Sequence, residues 1–419
     1  MASYGGDRDR GDRAAGLLGG VPAGGGAPTM GAMSLDVQRI LPTPEAEDLL
    51  ALVRELAREE LAPQVEAAEA ESRFPGDAYA LLGKSGLMSL PFAERWGGGE
   101  QPYEVYLQVV EELAAVWPSL AVGVSVHALT ATVLDRNGTD EQRETWLPRM
   151  LGGEWLGAYC LSEAQAGSDV SGIRTRAVHE DGPDGGAYVV SGTKAWISNG
   201  PHADYYVLFA RTSEDARSGL SAFLVPSDTP GIGHGAPERK MGLHCDPTSQ
   251  VMFERTRVPA AQRIGEEGRG MAVALSALDA GRLGIAAVAT GIAQAALSLA
   301  VSYAGQREQF GQRIGDFQGV QFMLADMAAA TGAARAAYLH AARLKDAGKP
   351  FGPEASIAKL TASDAAVKVT TDAVQVLGGA GYTADFPAER LFRDAKITQI
   401  FEGTNQIQRM VIGRSLLRR

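Results

Sequence analysis

The sequence has few of the side chains that build disulfide scaffolds and metal sites. Among its 419 residues there are only two cysteines, Cys160 and Cys245, and six histidines. The cysteines form no CxxC pair, and the histidines form no HExxH motif or other zinc spacing. The sequence therefore predicts no disulfide framework and no metal site. The expected location is a reducing compartment, the cytoplasm.

Basic charge and long apolar runs are also scarce. The chain has 39 Lys and Arg residues against 50 Asp and Glu, which gives a net charge of −11. This balance argues against non-specific binding to nucleic acid and against adhesion to an anionic membrane surface. No apolar run approaches the roughly 18–20 residues that span a bilayer, so no membrane segment is expected.

The glycine-rich motifs of nucleotide-binding folds are missing as well. "GIGHG" at 231–235 and "GGAG" at 378–381 neither follow a predicted strand nor open a helix as GxGxxG does. "SGTKAW" lacks the upstream glycine of a phosphate-binding loop, and no GxSxG elbow occurs. A Rossmann site, a P-loop and a serine hydrolase are therefore all disfavoured.

The pattern of hydrophobic residues divides the chain into four parts. Residues 1–36 are rich in glycine and mixed charge, which predicts a disordered tail. Helical periodicity begins at Thr43, a predicted N-cap, within an N-terminal α-helical domain, residues 37–152. Short β-branched and aromatic runs between turns predict a middle domain of barrel or sandwich type, residues 153–267. Long Ala- and Leu-rich helices then predict a helical bundle, residues 268–419.

One carboxylate, Glu402, has an unusual setting in the stretch "TQIFEGTNQIQ". Phe401 precedes it and Gly403 follows, so the acid lies between an apolar ring and a residue that permits close approach. Burial against such neighbours raises the pKa of a carboxyl group towards neutrality, as a general base requires. A glutamate that only favours a helix dipole explains the pattern equally well. The residues alone leave both interpretations open.

Four stretches of the sequence carry recognisable signatures. They are "YCLSEAQAGSDVSG" (159–172), "KAWISNG" (194–200), "QVLGGAGYTADFPAERLFRD" (375–394) and "QIFEGTNQIQR" (399–409). Together, and in this order, they resemble the acyl-CoA dehydrogenase family, from about residue 37 to the C-terminus. The greatest similarity is to the short-chain, butyryl-type branch and similar bacterial members.

The resemblance implies an α+β fold with an N-terminal helical domain, a middle β domain and a C-terminal four-helix bundle, in agreement with the hydrophobic pattern. It also implies FAD as cofactor, an acyl-CoA substrate, electron-transfer flavoprotein as electron acceptor, and a homotetramer. The implied reaction forms trans-2-enoyl-CoA: Glu402 removes the α-proton, and hydride passes from the β-carbon to flavin N5. The backbone N–H of Glu402 would stabilise the thioester oxygen.

The resemblance also implies roles for individual side chains. It makes Glu402 the favoured catalytic base. The implied flavin contacts within one chain are Tyr159, Leu161, Ser162, Trp196, Ile197, Ser198, Thr404 and Gln406. Those implied from across a subunit interface are Arg307, Phe310, Gln318, Gln375 and Gly379. The implied substrate contacts are Ser168, Asp279, Arg282 and Gly403.

Several of these residues have a simpler structural explanation. Trp196 fits a buried strand aromatic, and Arg307 fits a solvated residue at the end of a bundle. Asp279 and Arg282 stand at i and i+3, which is the spacing of a plain helix ion pair. His127 either lies near the acyl pocket or is a satisfied histidine of the core. These alternatives stay open at the level of sequence.

The chain departs from the family pattern at a few positions. Some relatives, such as isovaleryl-CoA dehydrogenase, carry the base on the first long bundle helix, where this chain has Gly281; that leaves Glu402 as the base. The other departures are Ala164-Gln165 in place of Pro-Gly, Ser162 and Ser198 in place of Thr, and Phe401 in place of Tyr. The serines keep their hydroxyl groups, whereas the geometry of the Ala-Gln turn is left open.

Two other kinds of function fit the same fold. The first is an oxygen-using acyl-CoA oxidase or flavin monooxygenase, and the retained Glu402 argues against the monooxygenase. The second is a non-enzymatic relative that acts in assembly or nucleic-acid binding. The net charge of −11 and the full set of motifs argue against it.

Overall fold

The first domain is built from amphipathic helices that begin at well-formed caps. The computed structural model describes residues 37–215 and 219–417, so the predicted tail, residues 1–36, lies outside the described residues. As predicted, Thr43 caps the first helix, because its Oγ1 accepts a hydrogen bond from the amide of Ala46 at 3.2 Å. The helices of this domain are α1 (Pro44–Leu56), α2 (Ala62–Glu71), α3 (Gly76–Lys84), α4 (Tyr103–Val116), α5 (Pro118–Asn137) and α6 (Asp140–Leu151), with a π-helical turn at Ala57–Leu61.

The middle domain is a single mixed sheet. Its strands are β1 (Gly157–Cys160), β2 (Arg176–Glu180), β3 (Ala187–Ser198), β4 (Tyr205–Arg211), β5 (Leu220–Pro226), β6 (Ile232–His234), β7 (Thr248–Pro259) and β8 (Arg263–Ile264). The order is β6-β7-β3-β2-β4-β5-β8, and β1 pairs with β4 in parallel. The sheet confirms the predicted change from helix to strand near residue 155.

Strand β4 is buried on both faces because its side chains alternate between two cores. Tyr205, Val207 and Phe209 belong to the large core that the sheet shares with the helices. Tyr206 and Leu208 belong to the smaller core inside the β domain. This alternation follows from the two-residue period of a strand. It packs one face of the sheet against α5 and α7 and brings the strand ends next to the bundle.

The C-terminal domain begins with three long antiparallel helices. The helices are α7 (Gly270–Gln306), α8 (Gln318–Asp346), α9 (Gly352–Leu377), α10 (Ala388–Ile397) and α11 (Asn405–Leu417), and a small hairpin of β9 (Glu308–Gln309) and β10 (Gln312–Arg313) joins α7 to α8. The end of α7, the start of α8 and the end of α9 share one end of the bundle. The start of α7, the end of α8 and the start of α9 share the other, which lies beside the β domain.

We expected no segment long and apolar enough to cross a membrane, and this expectation was wrong. The test applied is one of length and composition only. Within the part of the chain that the structure describes, two helices, α5 and α7, pass that test. Both are mostly buried inside the protein: 89% of the apolar window of α5 and 94% of that of α7 are covered. Their apolar character is explained by packing in the core, since α7 contacts α4, α5, α8 and α9.

Candidate active site

The loop between α10 and α11 holds Glu402 in an uncommon backbone conformation. Its φ is +54°, and that of Gly403 is +85°. The left-handed region costs a residue with a side chain about 1 kcal/mol or more, so the surrounding contacts have to maintain it. The consequence is a sharp turn that directs the side chain of Glu402 towards α7.

The carboxylate of Glu402 lies directly against the backbone of α7. A Cβ built on Gly281 would come within 2.8 Å of Oε2 of Glu402. The same oxygen is buried and has no hydrogen-bond partner in the described residues. An ionised oxygen left without a donor is costly, so burial disfavours the charged form of this carboxyl group. The position that carries the base in some relatives therefore adjoins the carboxylate of Glu402.

The environment of Glu402 gives it the properties of a base. Burial raises the pKa of Glu402 from 4.5 to about 7, and the positive charges of Arg282 and Lys359 oppose this rise. At neutral pH a substantial fraction is therefore ionised while the group stays basic enough to accept a proton. The interpretation of Glu402 as a helix-dipole residue does not account for this burial.

The loop itself is held by buried polar side chains that sequence reasoning did not single out. Lys359 on α9 donates from Nζ to the carbonyl of Gly403 and to Oδ1 of Asn405, both at 2.9 Å. Gln408 donates from Nε2 to the carbonyls of Glu402 and Gly403, at 3.2 and 2.8 Å. Lys359 could have been singled out from the sequence, because it is a lone lysine in the Ala-rich stretch "ASIAKLTASDAA".

The predicted substrate residues on α7 form an ion pair. Nη1 of Arg282 donates to Oδ1 of Asp279 at 2.6 Å and lies 3.4 Å from the hydroxyl of Ser356. Arg282 is buried, and its Nε has no hydrogen-bond partner among the described atoms. Burial raises the pKa of Asp279, opposed by Arg282 and Arg136. The plain ion pair is confirmed, and the contact of both side chains with substrate stays a prediction.

Trp196 occupies a bulge at the end of β3. The register against β7 shifts between Lys194 and Ile197, and the φ of Trp196 is +58°. The side chain is 54% exposed, so the alternative of a buried strand aromatic was wrong. A bulge commonly re-aims a side chain next to a functional site. Here it turns an indole ring out of the sheet.

The two residues that follow Trp196 differ in environment: the side chain of Ile197 is buried, whereas that of Ser198 forms a hydrogen bond. Ile197 is buried in the core of the β domain, so only its backbone is free to contact a cofactor. The hydroxyl of Ser198 donates to Oδ2 of Asp246 at 2.9 Å. The second oxygen of Asp246 is buried without a partner in the described structure, and burial raises the pKa of this carboxyl group. Asp246 was not predicted from the sequence.

The strand β1 and the turn after it bring the other predicted flavin residues to α7. Tyr159 donates from its hydroxyl to the carbonyl of Ala274 at 3.3 Å. Burial, with the charge of Glu402 adding to it, raises the pKa of Tyr159. The side chain of Leu161 is buried in the large core. The backbone carbonyl of Ser162 accepts a hydrogen bond from the amide of Ala195 at 2.9 Å. Beyond the turn, Ser168 is exposed.

A buried ion pair, which the sequence did not predict, joins β1 to β3. Nζ of Lys194 donates to Oε1 of Glu163 at 2.9 Å and to the carbonyl of Leu161 at 3.0 Å. Glu163 also accepts from the amides of Arg174 and Thr175 at 2.8 and 3.0 Å. These donors outweigh the effect of burial and hold the pKa of Glu163 at about 2. The pair fixes the strand ends from which Ser162 and Trp196 project.

The replacement of Pro-Gly by Ala164-Gln165 leaves a regular tight turn. Glu163 and Ala166 exchange both backbone hydrogen bonds, at 3.1 and 2.9 Å. Nε2 of Gln165 donates to Oε2 of Glu163 at 2.7 Å. The chain therefore forms a tight turn at Ala164-Gln165, and Gln165 contributes to the hydrogen-bond network around Glu163.

His127 is a satisfied histidine of the core. Its Nδ1 accepts from the amide of Gly157 at 3.2 Å, and its Nε2 lies 3.0 Å from the carbonyl of Met150. Burial lowers the pKa of His127 to about 4. Of the two alternatives, the structural one is confirmed, and the ring joins α5 to the start of β1.

The remaining flavin residues fall into two groups. Thr404 accepts from the amide of Ile407 at 3.2 Å at the start of α11, and Gln406 is exposed beside it, so both adjoin Glu402. The second group is exposed at the opposite end of the bundle and consists of Arg307, Phe310, Gln318, Gln375 and Gly379. Gly281 and Gln306 are separated by about 38 Å along α7 at 1.5 Å per residue. One chain therefore does not bring the second group to Glu402.

Among the described residues, the cysteines form no disulfide, and the acidic side chains form no cluster that could bind a metal ion. Cys160 and Cys245 are free and buried. In residues 37–215 and 219–417, His, Cys, Asp and Glu side chains form no group of three or more that could hold a metal ion. Of the predicted site residues, Tyr159 on β1 and Arg282 on α7 lie near Glu402 within one chain.

Comparison with known families assigns each part of the chain. Residues 43–154 match the N-terminal domain of acyl-CoA dehydrogenases, residues 158–256 the middle domain, and residues 268–417 the C-terminal domain. The matched ranges follow one another in the order that the motifs predicted.

Individual relatives agree over nearly their whole length. An acyl-CoA dehydrogenase of Bacillus subtilis is 45% identical over 87% of this chain and 96% of its own. A short-chain-specific acyl-CoA dehydrogenase of Clostridium acetobutylicum is 41% identical over 90% of this chain and 99% of its own. The solved structure of butyryl-CoA dehydrogenase from Megasphaera elsdenii is 41% identical and superposes with a TM-score of 0.88, over 91% of this chain and 100% of its own. These findings confirm the predicted fold class and FAD as the cofactor of the family. The chain therefore belongs to the acyl-CoA dehydrogenase family, whose members are FAD-dependent oxidoreductases that act on the CH–CH group of acyl-CoA thioesters.

Proposed function

We propose that this protein converts an acyl-CoA thioester to trans-2-enoyl-CoA, with Glu402 as the base that removes the α-proton. The observation that carries the proposal is the buried, unpartnered Oε2 of Glu402, on a carboxyl group whose pKa is raised to about 7. A group that accepts a carbon-bound proton must be held near the reacting atom, free of competing donors and close to neutral in pKa. Glu402 meets the last two requirements, and its position beside the α-carbon of the substrate is what we propose.

The loop around Glu402 also offers a donor for the thioester oxygen. Among the described residues, the backbone N–H of Glu402 donates to no acceptor, whereas the carbonyls of Glu402 and Gly403 are both occupied by Gln408. A preorganised N–H directed at a developing enolate is worth several kcal/mol, about 3 for a single donor. The left-handed turn at Glu402 therefore supplies both the base and the electrophilic donor.

The residues at the strand ends fit FAD. The indole of Trp196 is 54% exposed on a bulge, and a planar ring system is a ligand that would cover it. Trp196, Ser198, Tyr159 and Ser162 would hold the flavin on the β-domain side, and Thr404 with Gln406 on the side of α11. Bound FAD supplies the acceptor for the hydride that leaves the β-carbon.

A second copy of the chain completes the proposed cofactor site. The exposed group of Arg307, Phe310, Gln318, Gln375 and Gly379 lies at the end of the bundle opposite Glu402. In a homotetramer the same residues reach the flavin of a neighbouring copy, and a guanidinium provides the fixed charge that a diphosphate needs. Measurement of the solution mass with and without FAD tests this assembly.

Substrate contacts and the electron acceptor complete the proposal. Ser168, Asp279, Arg282 and Gly403 are proposed to contact the acyl-CoA, and electron-transfer flavoprotein is proposed to accept the electrons. Two buried, free cysteines support a reducing, cytoplasmic location.

The function is tested by anaerobic mixing of the FAD-loaded enzyme with butyryl-CoA and a series of longer and branched acyl-CoA thioesters. Bleaching of the oxidised flavin spectrum is expected with at least one member of the series. Glu402→Gln should bind FAD with an unchanged spectrum and bleach about 10²–10⁴ times more slowly. If no thioester bleaches the flavin, the proposal is wrong. Reoxidation of the reduced enzyme by air faster than by electron-transfer flavoprotein would instead identify an oxidase.

A further inference from the structure

A buried lysine underlies the loop that carries the proposed base. Lys359 lies on α9, and its side chain is fully buried. Lysine is almost never fully buried without a partner, because removal of an ammonium group from water is costly. Nζ of Lys359 has two acceptors, the carbonyl of Gly403 and Oδ1 of Asn405, each at 2.9 Å. Neither is a carboxylate, so no direct ion pair explains the charge.

The contact of Lys359 with Gly403 maintains the conformation of the loop. Gly403 has a φ of +85°, and its carbonyl accepts from both Lys359 and Nε2 of Gln408. These donors hold the carbonyl towards α9. Asn405 is fixed in turn by Ser363 and Asp364, with Nδ2 at 2.9 and 2.7 Å from their oxygens. Lys359 therefore connects the turn at Glu402 to a rigid helix.

The charge of Lys359 also acts on the carboxylate. The charged and titratable groups that face Glu402 are Arg282 on α7, Lys359 on α9, Tyr103 on α4 and Tyr159 on β1. Only the two cations oppose the effect of burial, which raises the pKa of Glu402. Burial lowers the pKa of Lys359 itself to about 8, and the charges of Glu402 and Asp364 oppose that change. The lysine and Glu402 therefore stabilise each other's charged forms.

Of the two cations, Arg282 already has a carboxylate partner. Its Nη1 lies 2.6 Å from Oδ1 of Asp279, yet of the two cations it has the larger effect on the pKa of Glu402. Lys359 has only neutral acceptors within hydrogen-bond distance among the described residues. No carboxylate is hydrogen-bonded to Lys359, and Asp364 acts on it only through its charge.

We propose that Lys359 is a positioning residue for catalysis: through the Gly403 carbonyl it maintains the turn at Glu402, and through its charge it favours the carboxylate form of the base. The proposal rests on the assignment of Glu402 as the base. It explains why a fully buried ammonium group lies beneath the loop with no carboxylate in contact.

The test compares three variants of the FAD-loaded enzyme. Lys359→Met removes the charge and the donor, whereas Lys359→Gln removes the charge but retains a donor for the Gly403 carbonyl. Lys368→Met is the matched control, because Lys368 lies on the same helix but is largely exposed and pairs with Asp372. Far-UV circular dichroism and the flavin spectrum establish that each variant folds and binds FAD.

Two measurements report on Glu402 separately. The first is the pH dependence of the bleaching rate. The second is the infrared band of the protonated carboxyl group, identified by its loss in Glu402→Gln and titrated without substrate. Removal of an opposing charge raises a carboxyl pKa, so both midpoints should move up by about one pH unit in Lys359→Met and Lys359→Gln. At pH 6 the bleaching rate should fall about tenfold, with recovery towards pH 9 that is more complete in Lys359→Gln.

The outcomes separate this inference from the proposed function. Unchanged midpoints in folded Lys359→Met and Lys359→Gln overturn the role of Lys359, even if Glu402→Gln abolishes bleaching. A uniform loss of rate at all pH values, with an unmoved infrared band, also overturns the electrostatic role and leaves only a structural one. If the wild-type enzyme bleaches with no thioester, the proposed function fails, while the infrared titration still decides whether Lys359 lowers the pKa of Glu402.

Discussion

Oε2 of Glu402 lies against the backbone of Gly281, at the point where a side chain on α7 would begin. The carboxylate thus fills the volume that a residue at position 281 would need, and it does so without a hydrogen-bond donor in the described structure. A carboxylate on the loop and a side chain at position 281 of α7 would occupy the same volume. Because this chain has glycine at 281, the carboxylate of Glu402 occupies it.

Replacement of Gly281 by alanine should impair catalysis more than folding. The new Cβ would come within 2.8 Å of Oε2, so the carboxylate has to move away from its present position. A displacement of about 1 Å can cost about 10²-fold in rate. Stopped-flow bleaching of Gly281→Ala should therefore be slower by one to two orders of magnitude, with normal FAD content.

Gly332→Ala on α8 is the matched control, because a Cβ there meets nothing within 4 Å. It should keep the wild-type rate and gain up to about 1 kcal/mol of stability from the better helix propensity of alanine. Equal rates for Gly281→Ala and wild type would show that the contact does not position the base.

Removal of the acid at 402 should stabilise the protein at alkaline pH. The folded pKa of Glu402 is about 7 against 4.5 in the unfolded chain, so between these values the folded state binds more protons. Stability from this group is complete below pH 4.5 and is lost as the pH rises through 7. Glu402→Gln should therefore exceed wild type by about 3 kcal/mol at pH 8 and by less than about 1 kcal/mol at pH 5.

Urea unfolding of the two proteins at both pH values measures this difference. Glu45→Gln, a change of the same kind in the exposed first turn of α1, serves as control. A constant difference between Glu402→Gln and wild type would contradict the raised pKa.

Loss of the Trp196 side chain should weaken FAD binding and leave the fold intact. The indole is 54% exposed, so its removal takes little from the core. Stacking and lost contact area together amount to about 1.5 kcal/mol, or roughly tenfold in affinity. Fluorescence titration of the apoprotein with FAD should show this change for Trp196→Ala.

Val178→Ala is a suitable comparison, since Val178 is a 59% exposed residue on β2. It should bind FAD like the wild type, and its thermal midpoint should match that of Trp196→Ala within a few degrees. An unchanged FAD affinity in Trp196→Ala would remove the indole from the proposed flavin site.

Disruption of the buried pair between Glu163 and Lys194 should destabilise the β domain strongly. Lys194→Met leaves a carboxylate at 3% side-chain exposure without its cation, a change that typically costs about 3–5 kcal/mol. The double variant Glu163→Gln with Lys194→Met should recover part of this loss, because no uncompensated charge remains. Chemical unfolding measured by intrinsic fluorescence gives the three values.

The exposed pair of Arg58 and Glu59 is the reference for a surface contact. Arg58→Met should leave the free energy of unfolding nearly unchanged, because solvent screens an exposed ion pair. If Lys194→Met were as mild as Arg58→Met, the buried pair would not hold the strand ends together.

Much of the fold could be predicted because it depends on local patterns. The cap at Thr43, the change from helix to strand near residue 155 and the long helices after residue 268 all follow from periodicity and turn residues. The membrane expectation failed at α5 and α7 for a related reason: a helix enclosed by protein has the same apolar composition as one enclosed by lipid. Only the packing around it distinguishes the two.

The site was predicted less completely, because partners distant in sequence decide what each residue does. Trp196 was expected to be buried if it had no function, and only the bulge in β3 shows that it turns outward. Ser198 depends on Asp246 and Glu402 on Lys359, across separations of 48 and 43 positions. No local pattern reports such pairs.

What the sequence by itself determined is the set of chemical groups: a single acid beside Gly403, hydroxyls at Ser162 and Ser198, and the signatures that resemble one family. What only the tertiary structure decided is the state of those groups. The pKa of Glu402 depends on burial against α7 and on two cations, Arg282 on α7 and Lys359 on α9. The direction of its side chain depends on a turn that Lys359 and Gln408 hold. The free energy of a buried charge is set by every atom around it, and the chain folds those atoms together from distant positions.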